Sequence, residues 1–220
     1  SRFISELKVE PITIGMWVGM SSTPNTISGK NGAIEKVEEI NEECNKKSGN
    51  PESKNVFQIS SCPWCGTKLI TKDENGEWTF GFKFKKRNIT EFKINCVNKK
   101  CRFHSELPIR VVDEMLYDNP PTLLFGTVDK FAMLAWKAKG NRFFNSLDSD
   151  KLPPDLIIQD ELHLLTGPLG SITGIFESVI EMLCTKNGRK PKIISSTATT
   201  RNTSEQIKAL YGNDREVNIF

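Results

Sequence analysis

The chain has 220 residues, 37% of them hydrophobic and 26% charged, which is too apolar for a disordered chain and too polar for a membrane protein. No apolar run approaches the roughly 20 residues that span a bilayer, and the start carries no signal-peptide pattern, so a soluble, cytoplasmic chain is expected. Thirty Lys and Arg against 27 Asp and Glu leave +3, a near-neutral total that excludes little until its distribution is read, and the length allows one core plus a small module.

In chain order, residues 11–18 form an apolar run that reads as a strand, ended by Gly19 and the polar Ser21, Ser22 and Thr23. Residues 24–55 are polar, with one helix expected from Ala33 to about Lys46. The charge concentrates next. Residues 56–104 hold ten Lys and Arg but four acids, a net +6, so the remainder of the chain carries −3.

Four of the six cysteines fall in the same stretch, at Cys62, Cys65, Cys96 and Cys101. The C-x2-C and C-x4-C pairs are separated by 30 residues. Each short loop can bring two thiolates to one tetrahedral zinc, while the insert folds back to join the pairs. His104 is a possible substitute ligand. Disulfides are disfavoured by an intracellular setting, and unligated buried thiols are the other alternative. Cys44 and Cys184 lack close partners and are expected to stay free.

Between the pairs, Trp78, Phe80, Phe82 and Phe84 alternate with Thr79, Gly81, Lys83 and Lys85. That period of two predicts a strand. Phe92, Ile94 and Cys96 alternate again, and Asn75-Gly76 is a strong turn signal. The spacing predicts a small zinc ribbon over 56–106. Its aromatic stripe reads first as a small core and second as a surface for base stacking. The basic run Lys83, Lys85, Lys86 and Arg87 can track a phosphate backbone or simply protect a strand edge.

Beyond the ribbon, strands and helices alternate. Short strands are expected at 108–112 and 122–125, and a helix over 128–139 with Gly140 as its stop. A buried strand at 154–158 leads into Gln159-Asp160-Glu161-Leu162-His163. A helix from Ser171 places Ile172, Ile175, Phe176, Val179, Ile180 and Leu183 on one stripe. A strand at 192–195 runs into Ser196-Thr197-Ala198-Thr199. Asn202 with Glu205 reads as a capping box for the next helix, and 216–220 as a last strand. This alternation predicts an α/β fold with a mostly parallel sheet and helices on both faces. Segments 1–55 and 107–220 would form the main body, with 56–106 inserted.

Adjacent carboxylates after an apolar strand sit where open α/β sheets bind ligands. Asp160 and Glu161 suit divalent-metal nucleotide chemistry. Gly126-Thr127-Val128-Asp129-Lys130, Asp160-Glu161-Leu162-His163 and Ser196-Thr197-Ala198 follow successive strands, about 30 to 36 residues apart.

This ordered set resembles the first RecA-like lobe of the superfamily two helicases, a P-loop NTPase fold. Asp160 to His163 match the DExH box, Ser196-Thr197-Ala198 motif III, Gly126 to Lys130 motif Ib, and Gly19 to Thr23 motif Ia. The wider strings PDLIIQDELHLLTGPLGS and GTVDKFAMLAW look most like the helicase subunits of the DISARM antiphage system. The resemblance implies that Asp160 coordinates Mg²⁺ and Glu161 activates the water that attacks ATP. It implies that His163, Ser196, Thr197 and Ala198 couple hydrolysis to nucleic-acid movement. Ser21, Ser22, Thr23, Gly126, Thr127 and Lys130 would contact the backbone of a DNA strand, with RNA as the other possibility.

One departure matters. No G-x-x-x-x-G-K-[ST] loop occurs in this sequence, and a second RecA-like lobe is missing too. The chain therefore reads as a fragment of an ATP-dependent DNA helicase or translocase. By itself it is expected to bind ATP weakly and hydrolyse little. The alternative is a non-catalytic module, a zinc ribbon on a degenerate RecA-like scaffold that binds nucleic acid or the other subunits of a defence complex.

Overall fold

The computed structural model describes residues 11–85, 88–145, 151–164, 167–197, 203–212 and 218. It is a mixed α/β structure in two compact units, 1–127 and 128–220. Among the described residues, no helix is long and apolar enough to cross a membrane.

The first unit contains a parallel sheet in which β1 (Ile14–Trp17) lies between β6 (Ile109–Arg110) and β7 (Leu123–Gly126). Trp17 is fully buried, and its Nε1–H donates to Tyr117 Oη at 3.2 Å. Tyr117 lies on α2 (Asp113–Asp118), which packs on β1. Helix α1 (Ala33–Cys44) buries Ala33, Val37 and Ile40. Their spacing of four and three residues puts them on one helix face. The sequence predicts its extent to within two residues of its end.

That face does not close a core of its own. Ala33, Val37 and Ile40 share one apolar cluster with Phe57, Leu69, Phe82, Phe92, Ile94 and the buried Cys62, Cys96 and Cys101. Phe57 is its hinge piece: its ring lies 4.6 Å from Phe82 and 4.9 Å from Phe92. The aromatic stripe is thus mainly core, the first of its two sequence readings.

The stripe is not one strand. Trp78–Phe80 (β3) pairs antiparallel with Ile70–Lys72 (β2), whereas Phe82–Lys85 (β4) pairs with Asn88–Ile94 (β5). The switch falls at Gly81, whose N–H donates to Leu69 O and whose carbonyl accepts from Asn95 N–H. A Cβ at Gly81 would lie 2.0 Å from Asn95 O. Only glycine admits that backbone approach.

In the second unit, β8 (Leu156–Gln159) pairs in parallel with β9 (Lys192–Ser195). Helix α3 covers Val128–Ala132, shorter than the sequence predicts. The chain then continues as 3₁₀ turns over Met133–Trp136 and Ala138–Phe144. Phe143 and Phe144, at the end of the second of these turns, are buried.

Helix α4 (Gly167–Cys184) starts four residues earlier than its periodicity indicates. Pro168 falls in its first turn, where a missing N–H costs nothing. Among its described side chains Thr173, Ile180 and Cys184 are buried, whereas Ile175 is 67% exposed and Val179 and Met182 are exposed too. The apolar stripe is real, but part of it faces outward. Leu156, Ile158 and Ile194, on one face of the β8–β9 ladder, are likewise exposed. Helix α5 (Thr203–Tyr211) packs on α4. The capping residue Asn202 and the strand expected at 216–220 lie outside the described residues, apart from Asn218.

Candidate functional site

The four cysteines converge. Their sulfurs all lie within 4.8 Å of one another, with Cys62 and Cys101 Sγ 3.9 Å apart and Cys65 and Cys96 Sγ 3.5 Å apart. A tetrahedral ion with metal–sulfur bonds of about 2.3 Å holds its sulfurs roughly 3.8 Å from each other. The spacing fits such an ion and is far too long for disulfides at about 2.05 Å. All six cysteines are free thiols.

Local turns build this geometry. In the first loop, Cys62 N–H donates to Thr67 O at 2.8 Å and Gly66 N–H to Cys62 O at 2.8 Å, with Gly66 at φ +74°. In the second, Cys96 N–H donates to Phe103 O at 2.9 Å, and Phe103 N–H points at Cys101 Sγ at 3.4 Å. An N–H aimed at sulfur stabilises thiolate charge. His104 stands outside this four-sulfur group, and its Nδ1 donates to Cys96 O at 3.0 Å.

The four thiols sit in different surroundings. Cys65, exposed at the rim, is lowered to about 6 chiefly by its hydrogen bond to the Thr67 hydroxyl at 3.3 Å. Burial pushes Cys96 up to about 12. A divalent cation would hold every member as thiolate and remove that difference. The donor set can hold a metal ion such as zinc. Thr67 had no signal in the cysteine spacing.

The carboxylates lie at the carboxyl ends of the second unit's parallel strands. Gln159 closes β8 and Ser195 closes β9, in register. Ser196 N–H donates to Gln159 O and Leu162 N–H to Ser196 O, each at 2.9 Å. These bonds hold the two exit loops together. Ser196 Oγ donates to Asp160 Oδ1, which also accepts from Glu161 N–H at 2.9 Å. Both hold the Asp160 carboxyl below the usual range, the serine hydroxyl more strongly.

Glu161 occupies the left-handed region at φ +54°, uncommon for a residue with a long side chain. Its Oε2 lies 3.2 Å from His163 Nδ1, on the 3₁₀ turn Leu162–Leu164. Thr197 is half-buried, and Ala198 lies outside the described residues. Behind the pair, Gln159 Nε2 donates to Glu177 Oε1 at 3.3 Å, and Gln159 Oε1 accepts from Tyr211 Oη. Burial raises the Glu177 carboxyl. Neither Glu177 nor Tyr211 is legible as a partner of Gln159 from sequence.

Other candidate residues gather in the first unit. Trp17 and Gly126 are register partners at the ends of β1 and β7, and Thr127 N–H donates to Trp17 O at 3.3 Å. Ser22 and Thr23 N–H groups both donate to Gly19 O, curling the loop after β1. Gly19–Thr23 and Gly126–Thr127 thus leave the same sheet end. Ser21 is exposed, but Thr23 is 1% exposed. Lys130 is on α3 in the second unit and is 8% exposed. Lys83 is exposed on β4 opposite Lys93, and Lys93 pairs with Glu106 at 2.7 Å. Lys85 ends β4, and Lys86 and Arg87 lie outside the described residues.

Fold and sites together define an α/β protein with a four-cysteine cluster able to hold a metal ion and an acidic pair at the ends of parallel strands. The chain is similar to DISARM protein DrmA of Bacillus paralicheniformis, at 33% identity over 244 aligned positions that cover 91% of this chain. It spans about a fifth of that protein's length, 20%. No protein-family model matches it.

Proposed function

We propose that this chain forms part of the motor lobe of an ATP-dependent DNA helicase or translocase that serves antiphage defence. The observation that carries the proposal is the contact of Ser196 with Asp160 across adjacent parallel strands. In a RecA-like lobe these positions are the DExH carboxylate and the first residue of motif III. The similarity to DrmA supports the same reading.

In this account the exposed Asp160 carboxylate holds Mg²⁺, and Glu161 orients the water that attacks the γ-phosphate. His163, Ser196, Thr197 and Ala198 pass the nucleotide state to the nucleic acid. Ser21, Ser22, Gly126 and Thr127 contact the backbone of the strand, with Lys83, Lys85, Lys86 and Arg87 as a basic supplement; Thr23 and Lys130, both buried, are not counted among the contacts. Residues 56–106 form a zinc ribbon whose four cysteines bind one structural Zn²⁺.

The test is ATP hydrolysis by the full-length protein that contains this segment, with and without single-stranded DNA. Glu161→Gln is expected to lower the stimulated rate by about a hundredfold or more. The 220-residue chain alone is expected to hydrolyse little. An unchanged rate in the variant, or steady hydrolysis by the short chain that Glu161→Gln abolishes, would overturn the respective part of the proposal.

A further inference from the structure

The tips of the two cysteine loops carry a surface that the metal cluster does not use. Trp64, between Cys62 and Cys65, is 62% exposed and meets one ring, Phe103, edge to face at 5.7 Å. Phe103 is half-buried in the opposite loop, two residues past Cys101. That loop also presents Lys99, Lys100 and Arg102, all exposed. Two other lysines of residues 56–106 are ion-paired, Lys68 with Glu52 at 2.9 Å and Lys93 with Glu106 at 2.7 Å. Lys99, Lys100 and Arg102 make no ion pair among the described residues. Of the other large rings of this region, Phe57, Phe82 and Phe92 are buried, and Trp78, Phe80 and Phe84 are half-buried against the same core.

A core role therefore accounts for those rings but not for Trp64. Leaving an indole in water forgoes the stabilisation that burial brings. Here it projects from a loop held by the cysteine cluster, so its position is fixed before any ligand arrives. A flat apolar ring beside uncompensated cations matches a nucleic-acid single strand, which offers an unstacked base and a phosphate together. A duplex keeps its bases stacked and offers the ring no partner.

We propose that Trp64, backed by Phe103, is a stacking platform for a base of single-stranded nucleic acid, and that Lys99, Lys100 and Arg102 hold the adjoining phosphates. This assigns the strand contact to the loop tips, in addition to the basic β4–β5 edge. It rests on the zinc and nucleic-acid reading above.

The test uses the zinc-loaded 220-residue chain and fluorescein-labelled dT20, U20 and a 20-base-pair duplex, followed by anisotropy over a salt series. Trp64→Ala is expected to weaken single-strand binding about tenfold, and Trp64→Phe to retain most of it. An abasic 20-mer should bind wild type and Trp64→Ala alike. Replacing Lys99, Lys100 and Arg102 together by Ala should flatten the slope of log affinity against log salt by about 2. Tighter binding of dT20 or of U20 tells DNA from RNA, and either supports the proposal. Zinc content is measured on every variant: a chain without zinc refutes the metal reading separately. Equal affinities of wild type and Trp64→Ala for dT20 and U20, or wild-type binding to neither strand, would overturn the platform, the latter leaving these tips to a protein partner.

Discussion

Ser196 Oγ donates a hydrogen bond to Asp160 Oδ1 across the ends of two parallel strands. The two residues are 36 positions apart in sequence, and the backbone bonds Ser196 N–H to Gln159 O and Leu162 N–H to Ser196 O bring them together. A change in the Asp160 environment is therefore felt directly by the loop after β9.

That hydrogen bond favours the charged carboxylate. Ser196→Ala is expected to raise the Asp160 pKa toward its ordinary value, read by a carbon-13 titration of the carboxyl group. The sign has a consequence for stability. A carboxyl lowered in the folded state stabilises it above the unfolded pKa of about 3.9, and that contribution is lost as pH falls through the lower folded value. Near neutrality the variant should therefore be less stable than wild type, and the difference should close as pH falls and Asp160 is protonated in both.

Metal removal should reach beyond the cysteine loops. Cys62, Cys96 and Cys101 share one core with Val37 and Ile40 of α1. Structural zinc supplies folding free energy on the order of 10 kcal/mol in small modules. The purified chain is expected to carry one Zn²⁺, and chelation or Cys96→Ser should expose the α1 amides to hydrogen exchange. Protection of α1 that survives complete removal of zinc would show that the helix stands without the cluster.

Phe57 is placed between Phe82 and Phe92 with no polar role. Phe57→Ala should cost about 3–5 kcal/mol by urea denaturation. A loss under about 1 kcal/mol would mean that the core closes over the gap.

Gly81 is tested by a smaller change. Its backbone joins both hairpins, and a methyl would meet Asn95 O. Gly81→Ala is expected to destabilise by about 3 kcal/mol, more than a surface substitution. Equal midpoints for variant and wild type would contradict the close approach.

Much of this was legible in the sequence because its signals are local. Two short cysteine pairs bring four thiols together whatever the insert does, and an apolar strand followed by Asp160 and Glu161 exposes carboxylates at a strand end. Periodicity, however, reports a face and not what covers it: Ile175 and Val179 share the α4 stripe yet face outward. The break at Gly81 was hidden because aromatic alternation continues through it, and the constraint comes from Asn95, 14 positions away. The Tyr211–Gln159–Glu177 contacts join three separate elements and leave no pattern in any one.

Under the proposed function, the Asp160–Ser196 contact joins a nucleotide site to nucleic-acid movement. The direct measurement is the full-length protein's ATP turnover against DNA strand separation, for wild type and Ser196→Ala. Hydrolysis is expected to stay within about threefold while strand separation falls by about tenfold or more, the signature of lost coupling rather than lost chemistry. Unchanged strand separation in Ser196→Ala, or an equal fall in both activities, would contradict it.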